Sequence, residues 1–265
     1  MDFPLMTFNL TSAAVTDIGL VRQNNEDVCA ELPECRFYVI ADGMGGHQAG
    51  EIASKTAVET LLEIVQKTHT QKLSNAPLAD SFNSLKHAIE VVNNAVYQKG
   101  RSAPELKGMG TTLCFLYFHE QGLVYGHTGD SRIYRLRNNK LEQLTKDHSL
   151  IRELVEHGQL SERQIGDYYI YKNIITKAIG TESRVEPTIK IAEIQPDDLY
   201  FMCTDGLSDL LSKEEIESIL NFHSSLPDAV ATLVQATKER GAHDNVTVLL
   251  VKATAENGQK NLSRQ

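Results

Sequence analysis

Asp42, Asp130, Asp205 and Asp244 each stand just beyond or just before a short apolar run of β-forming residues, and Asp27 adds a fifth carboxylate in Asn25-Glu26-Asp27. Three are flanked by glycine, in Asp42-Gly43, Gly129-Asp130 and Asp205-Gly206, and the fourth sits in His243-Asp244-Asn245. Glycine lets the chain turn sharply and lets a ligand approach the main chain, which makes the carbonyl of Gly43 a further candidate donor. Taken singly, each Asp-Gly pair is an ordinary turn. Taken together they share one explanation, in which strand ends converge and gather the carboxylates. Carboxylates a few Å apart cannot all ionise in a partly buried site. Divalent cations remove that conflict, and an all-oxygen donor set favours Mg²⁺ or Mn²⁺ over zinc.

Other chemistries lack their residues. The chain has no G-x-x-x-x-G-K-[ST], no complete G-x-G-x-x-G, no G-x-S-x-G and no H-E-x-x-H. No cysteine has an arginine six positions later, as a cysteine-based phosphatase loop requires; Cys203 is followed there by Asp209. With no good side-chain nucleophile, a metal-activated water is the simplest one left. The four cysteines form no C-x-x-C pair and read as buried small hydrophobes in a reducing, cytoplasmic setting.

Two hydrophobic periods must position these residues. Arg36 to Ala41 is a short β-rich run that stops at Asp42-Gly43-Met44-Gly45-Gly46. Ala53, Ala57, Leu61, Ile64 and Val65 then fall on one helical face, and Phe82, Leu85, Ile89, Val92 and Val96 on another. Thr112 to Phe118, Gly122 to His127 and Arg132 to Leu136 read as three strands of an antiparallel meander. Leu150 to Gly180 is poorer in apolar residues and reads as an excursion lying on the domain. Strands near Thr188 to Glu193 and Leu199 to Thr204 follow. The capping box Ser212-x-x-Glu215 opens a helix, Pro227 stands in the first turn of another, and Val246 to Val251 forms a last strand. Residues 1–10 read as a leader, 11–252 as one α+β domain, and 253–265 as a polar tail.

The formal net charge of −9 over 265 residues, with no Lys/Arg-rich run, offers no footing for nucleic acid. No apolar run approaches the roughly 18 to 20 residues of a membrane span.

Seven motifs carry a resemblance: Arg22-Gln23-Asn24-Asn25-Glu26-Asp27, Ala41 to His47, Gly108-Met109-Gly110-Thr111-Thr112, Gly129-Asp130-Ser131-Arg132, Asp147-His148-Ser149, Thr204-Asp205-Gly206-Leu207 and His243 to Thr247. In order and spacing, over roughly Thr11 to Val251, the chain resembles the PP2C (PPM) family of metal-dependent protein serine/threonine phosphatases in its bacterial form. The resemblance implies a four-layer sandwich, two antiparallel sheets face to face with helices outside, and two tight Mn²⁺ or Mg²⁺ ions. It implies that Asp42 bridges both ions, that Asp205 and Asp244 complete one, and that Asp27 and the Gly43 carbonyl serve the other, partly through waters. Asp130, with Asp205, corresponds to a third, weaker metal site, and Leu150 to Gly180 to a flap over the substrate groove. Where the animal branch has histidine after Asp-Gly, this chain has Met44; His47 nearby is a candidate for proton transfer, with a structural role as its alternative. His148 reads as structural. Arg22 suits a phosphoryl dianion.

The implied function is hydrolysis of phosphoserine and phosphothreonine on proteins by a metal-bridging water, opposing a serine/threonine kinase, in a monomer. The alternatives are a phosphatase dedicated to one phosphorylated regulator, of the anti-sigma-antagonist type, and a metal-free regulatory pseudophosphatase.

Overall fold

The computed structural model describes residues 7–45, 48–70, 76–161, 171 and 174–256. One sheet runs in the order β1 (Phe8–Asp17), β11 (Val246–Ala255), β10 (Leu199–Cys203), β7 (Arg132–Arg137) and β8 (Lys140–Gln143). The other runs β2 (Asp27–Leu32), β3 (Phe37–Met44), β5 (Leu113–His119), β6 (Gly122–Thr128) and β9 (Thr188–Ala192), with the short β4 (Gly110–Thr111) on the end of β3. Every pairing is antiparallel.

Two helices, α1 (Ala49–Thr70) and α2 (Leu78–Arg101), cover the outer face of the second sheet through Ala53, Ala57, Leu61, Leu85, Ile89 and Val92. The first sheet is covered by α4 (Asp205–Ser208), α5 (Lys213–Phe222) and α6 (Leu226–Lys238). The capping box expected at Ser212 is present, with Glu215 N–H donating to Ser212 Oγ and Ser212 N–H to Glu215 Oε2. Between the sheets lies a third apolar layer containing Tyr38, Ile40, Cys114, Ile133, Met202 and Leu249. Phe118 spans it, edge-on to Tyr38 at 5.8 Å and to Tyr200 of the facing sheet at 5.3 Å. The result is the four-layer α+β sandwich, helix, sheet, sheet, helix.

Two sequence expectations are corrected. The three strands after Thr111 do not form a meander: β5 and β6 pair, but β7 crosses to the other sheet and pairs with β10. Gly129, at φ +102°, turns the chain where a side chain would strike Thr112, and Ile133 then enters the inter-sheet layer from the opposite side. The folded strands also extend beyond 11–252: β1 begins at Phe8, inside the expected 1–10 leader, and β11 runs to Ala255, inside the expected 253–265 tail. Phe8 pairs with Ala255, and Phe8 and Ala253 are buried between the sheets, so burial holds both strand ends in place. In the 150–180 region, α3 (Leu150–Glu156) follows the Ser149–Ile175 bridge, and Ile179 bridges Thr111.

Candidate metal centre

Strand alternation builds the site. Successive residues of a strand face opposite sides of the sheet, so stepping by two from an inter-sheet apolar residue stays between the sheets. That step leads from Ile40 to Asp42, from Cys29 to Asp27, from Cys114 to Thr112, from Ile133 to Ser131, from Met202 to Thr204 and from Leu249 to Thr247. At one end of the inter-sheet layer the apolar side chains thus give way, on six strands or their extensions, to a ring of carboxylates and hydroxyls. Asp27 stands directly opposite Asp42 in the β2–β3 ladder.

The hydroxyls orient the acids. Thr204 Oγ1 donates to Asp27 Oδ2 at 2.9 Å and accepts from Thr247 N–H at 3.1 Å. The main chain of Asp42 is held by Thr112 Oγ1, which accepts its N–H at 2.9 Å, and by Thr111 Oγ1, which donates to its carbonyl at 2.8 Å. Thr112 and Ser131 share a 2.7 Å hydrogen bond that joins the two sheets. Asp205 opens α4 immediately after β10. A Cβ on Gly206 would stand 1.9 Å from the Asn245 carbonyl and 3.3 Å from Asp244 Cβ, so glycine is what lets the Asp205 and Asp244 turns meet. Gly43 is equally constrained, because a Cβ would meet the carbonyls of Gly50 and Glu26 at 2.2 and 2.7 Å.

Asn245 ties this turn to the Arg22 loop. It accepts from Glu26 N–H at 2.8 Å and donates to the carbonyls of Ile18 and Asn24, each at 3.0 Å. Arg22, exposed at the rim, donates from Nη2 to Asp244 Oδ2 at 2.7 Å. Asp130 is buried on the crossing from β6 to β7. The Gly129-Asp130 turn is clamped from behind, where His148 N–H donates to the Gly129 carbonyl at 3.0 Å and His148 Nδ1 accepts Gly129 N–H at 3.1 Å. His148 Nε2 bonds Thr188 Oγ1, and the ring stacks on His127 with centroids 4.4 Å apart, which is a structural role.

The electrostatics are those of acids lacking a counter-charge. Burial, and then the charges of Asp27, Asp205 and Asp130, push Asp42 well above the usual carboxylate range. Burial lifts Asp27 to about 7 against the hydroxyls of Thr247 and Thr204. Burial with the charges of Asp205 and Asp147 lifts Asp130 to about 8. Asp205 rises to about 6 through burial and the charges of Asp209 and Asp244. One oxygen, Asp130 Oδ1, is buried with no hydrogen-bond partner. Among the described residues no three His, Cys, Asp or Glu side chains form a ready ligand cluster by themselves. The oxygen-only donors, the orphaned oxygen and the side-chain-free carbonyl at Gly43 fit hard divalent ions whose remaining ligands are main-chain carbonyls and water.

Asp27, Asp42, Gly43, Asp130, Asp205, Asp244 and Arg22 are therefore brought to one end of the sandwich. His47 lies outside the described residues. Asn245, Thr204, Thr247, Thr112 and Ser131 are the supporting residues that carboxylate spacing alone does not single out. For Thr204, Thr247, Thr112 and Ser131 the signal is parity, since each stands two positions from an inter-sheet apolar residue, whereas Asn245 sits in the turn before β11 and has no such signal.

Crowded acids at the converging ends of two facing sheets define a metal-dependent hydrolase of the α+β sandwich type. The chain belongs to the protein phosphatase 2C family, whose profile it matches over residues 21–251. It is 36% identical over 240 residues to the serine/threonine phosphatase stp of Listeria welshimeri, covering 89% of this chain and 93% of that one. It is 35% identical to the protein phosphatase PhpP of Streptococcus pneumoniae, covering 92% and 98%. Among solved structures, the serine/threonine phosphatase of S. agalactiae superposes with a TM-score of 0.84 at 34% identity, covering 92% and 99%. The catalytic domain of the phosphatase PstP in complex with two manganese ions does so with 0.81 at 34% identity, covering 94% and 100%. By family, the enzyme is a metal-dependent protein serine/threonine phosphatase.

Proposed function

We propose that the protein removes phosphate from phosphoserine and phosphothreonine side chains of other proteins by direct attack of water, at a site where Asp42, Asp205, Asp244, Asp27 and the Gly43 carbonyl hold two Mn²⁺ or Mg²⁺ ions. The observation that carries the reading is the set of buried, mutually repelling carboxylates at converging strand ends, which only cations can neutralise together. Bound there, the ions supply Lewis acidity, acidifying water and drawing charge from the phosphoryl oxygens. On the same reading Asp130 holds a third, weaker ion, a role supported by its unpartnered oxygen and the nearby charge of Asp205.

The chain's own groups do the rest. Arg22 is a planar donor at the rim and binds phosphoryl oxygens; while Nη2 holds Asp244, its Nε and Nη1 have no hydrogen-bond partner among the described residues. Thr204 and Thr247 fix Asp27, while Thr111 and Thr112 fix Asp42, so little reorganisation remains when substrate arrives. A phosphocysteine intermediate is disfavoured: Cys114 and Cys203 are buried, and burial pushes Cys203 up to about 12. His47 is the chain's candidate proton donor to the leaving seryl or threonyl oxygen.

All the residues proposed to hold the ions come from one chain, which supports reading the protein as a monomer that opposes a serine/threonine kinase on shared targets. Free thiols at all four cysteines fit a cytoplasmic location. No helix among the described residues is long and apolar enough to cross a membrane.

The test is phosphate release from phosphoserine, phosphothreonine and phosphotyrosine peptides after chelation, with Mn²⁺, Mg²⁺, Ca²⁺ and Zn²⁺ restored singly. Recovery with Mn²⁺ or Mg²⁺ on the first two peptides is expected. Equal turnover in chelator, or preference for phosphotyrosine, would contradict the reading.

A further inference from the structure

Beside the Asp42 ladder lies a cleft of about 620 Å³ that the chemistry above leaves unused. Its walls come from the C-terminal end of α2, the 102–108 loop and Gly180-Thr181. Backbone contacts tie its wall to the strand that carries Asp42. Gly110 faces Met44 in the β3–β4 ladder, and a Cβ on Gly110 would stand 2.6 Å from Thr181 Cγ2. Thr111, which donates to the Asp42 carbonyl, bridges Ile179 one residue before the cleft wall. Asn93, buried under that wall, accepts from Gly180 N–H at 2.8 Å and donates to the Glu182 carbonyl at 3.0 Å, so the wall is held firmly.

The charge in this cleft runs against the rest of the molecule. In a protein of net charge −9, its charged lining residues among the described ones are Arg101 and Lys107, with no carboxylate beside them. Glu105 and Glu182, the acids adjacent in sequence, are not in the lining. Both cations are exposed, and among the described residues neither has an ion-pair partner. Arg101 is nevertheless ordered: its guanidinium lies over the Tyr97 ring, 5.6 Å from the centroid, and Nη1 donates to Tyr97 Oη at 3.1 Å. That contact leaves Nε and Nη2 free to donate to an anion, and it removes part of the entropy cost of doing so. Gly108, at φ +81° with open space where a side chain would be, keeps the mouth clear.

We propose that this cleft is a second anion site, which takes a carboxylate or a second phosphoryl group carried by the protein substrate a short stretch of chain away from the phosphoresidue being hydrolysed. It rests on the phosphatase reading and assigns to it a substrate class, segments that are acidic or phosphorylated more than once. Lys107 contributes a mobile point charge and Arg101 a fixed planar fork, a pair suited to either anion.

The experiment uses neutral phosphothreonine peptides into which a single Glu, or a single non-hydrolysable phosphonate analogue of phosphoserine, is placed at successive distances from the phosphothreonine. Anisotropy of labelled peptides gives affinity, and phosphate release with Mn²⁺ gives kcat/KM. At one spacing the anionic peptide should exceed the neutral one by about fivefold to tenfold in both, through KM, with the margin shrinking as salt rises. The Glu and phosphonate arms show which anion is preferred. In R101A/K107A, checked for unchanged Tm, the ratio should fall to near one, and in R101E/K107E it should invert. A wild-type ratio near one at every spacing, or a ratio unchanged in the variants, overturns the proposal. Wild-type protein that binds the peptides but releases no phosphate, and turns over no p-nitrophenyl phosphate, would fail the phosphatase reading instead, while the binding ratio would still decide the cleft.

Discussion

Replacing Asp130 with alanine should move stability and activity in opposite directions. Asp130 is only 8% exposed, its Oδ1 has no hydrogen-bond partner, and its charge is opposed by burial and by Asp205 and Asp147. An orphaned buried polar group costs about 1–3 kcal/mol, and deleting the side chain sacrifices about 1 kcal/mol of packing. With the like-charge repulsion also relieved, the chelated variant should be about 1–2 kcal/mol more stable than wild type. Urea unfolding in EDTA, followed by circular dichroism, measures this directly. In saturating Mn²⁺ the order should narrow or reverse, because a ligand at a hundred times its Kd adds about 2.7 kcal/mol to the state that binds it, and the variant has one fewer site. Turnover should fall, with the high-concentration component of its Mn²⁺ dependence lost and the tight sites kept. A chelated variant less stable than wild type by 1 kcal/mol or more would mean that Asp130 is an ordinary structural aspartate with partners of its own, and the argument from its unpartnered oxygen would collapse.

Three further outcomes follow from the same geometry. Arg22→Ala should raise KM for phosphopeptide and lower kcat as well, with Lys rescuing only part, because the contact strengthens as charge develops; unchanged kcat/KM would return Arg22 to the surface. Thr204→Val, isosteric but unable to hydrogen-bond, orphans Thr247 N–H and removes a donor from Asp27, and should cost about 2–4 kcal/mol in urea unfolding with a loss of Mn²⁺ affinity, whereas Thr204→Ser should cost about 1 kcal/mol or less. His148 is held neutral, since burial and His127 lower it to about 3 from 6.5 and its Nδ1 accepts from Gly129 N–H. The unfolded chain therefore binds the extra proton first, and stability is lost as pH falls from about 6.5 towards 3; for this half-buried ring, solvent screening brings the loss between pH 7.5 and 5.5 to about 1 kcal/mol or less, absent in His148→Gln.

The sequence made the acids visible because Asp42, Asp205 and Asp244 interrupt apolar β-runs where only a turn or a site makes sense. It hid their supports, because Thr112, Thr204 and Thr247 are good strand formers and read as more strand. Only the pairing of the sheets shows which face each threonine takes. The same ambiguity produced the false meander: β5, β6 and β7 have similar apolar runs, and nothing local says that Gly129 sends the third to the opposite sheet. The edge strands β1 and β2 escaped notice for a related reason. Each has only one neighbour in its sheet, so half-buried positions blur the alternation that marks central strands such as β3 and β10. Helices were the easiest part, since the apolar stripes of α1 and α2 are unbroken over many turns.

The central claim is that these carboxylates exist to hold catalytic cations, and a paired titration tests it most directly. Chelated wild-type protein and Asp42→Asn are titrated with Mn²⁺ by calorimetry while phosphopeptide turnover is followed in the same samples. Wild type should be inactive without metal and bind two ions tightly, with activity appearing as the tight sites fill. Asp42→Asn should fold, lose tight binding and fall by at least about 10³-fold in turnover, on the order of 4 kcal/mol in barrier. Turnover that persists in chelator, or an Asn variant that keeps more than a tenth of wild-type activity at saturating Mn²⁺, would contradict the account.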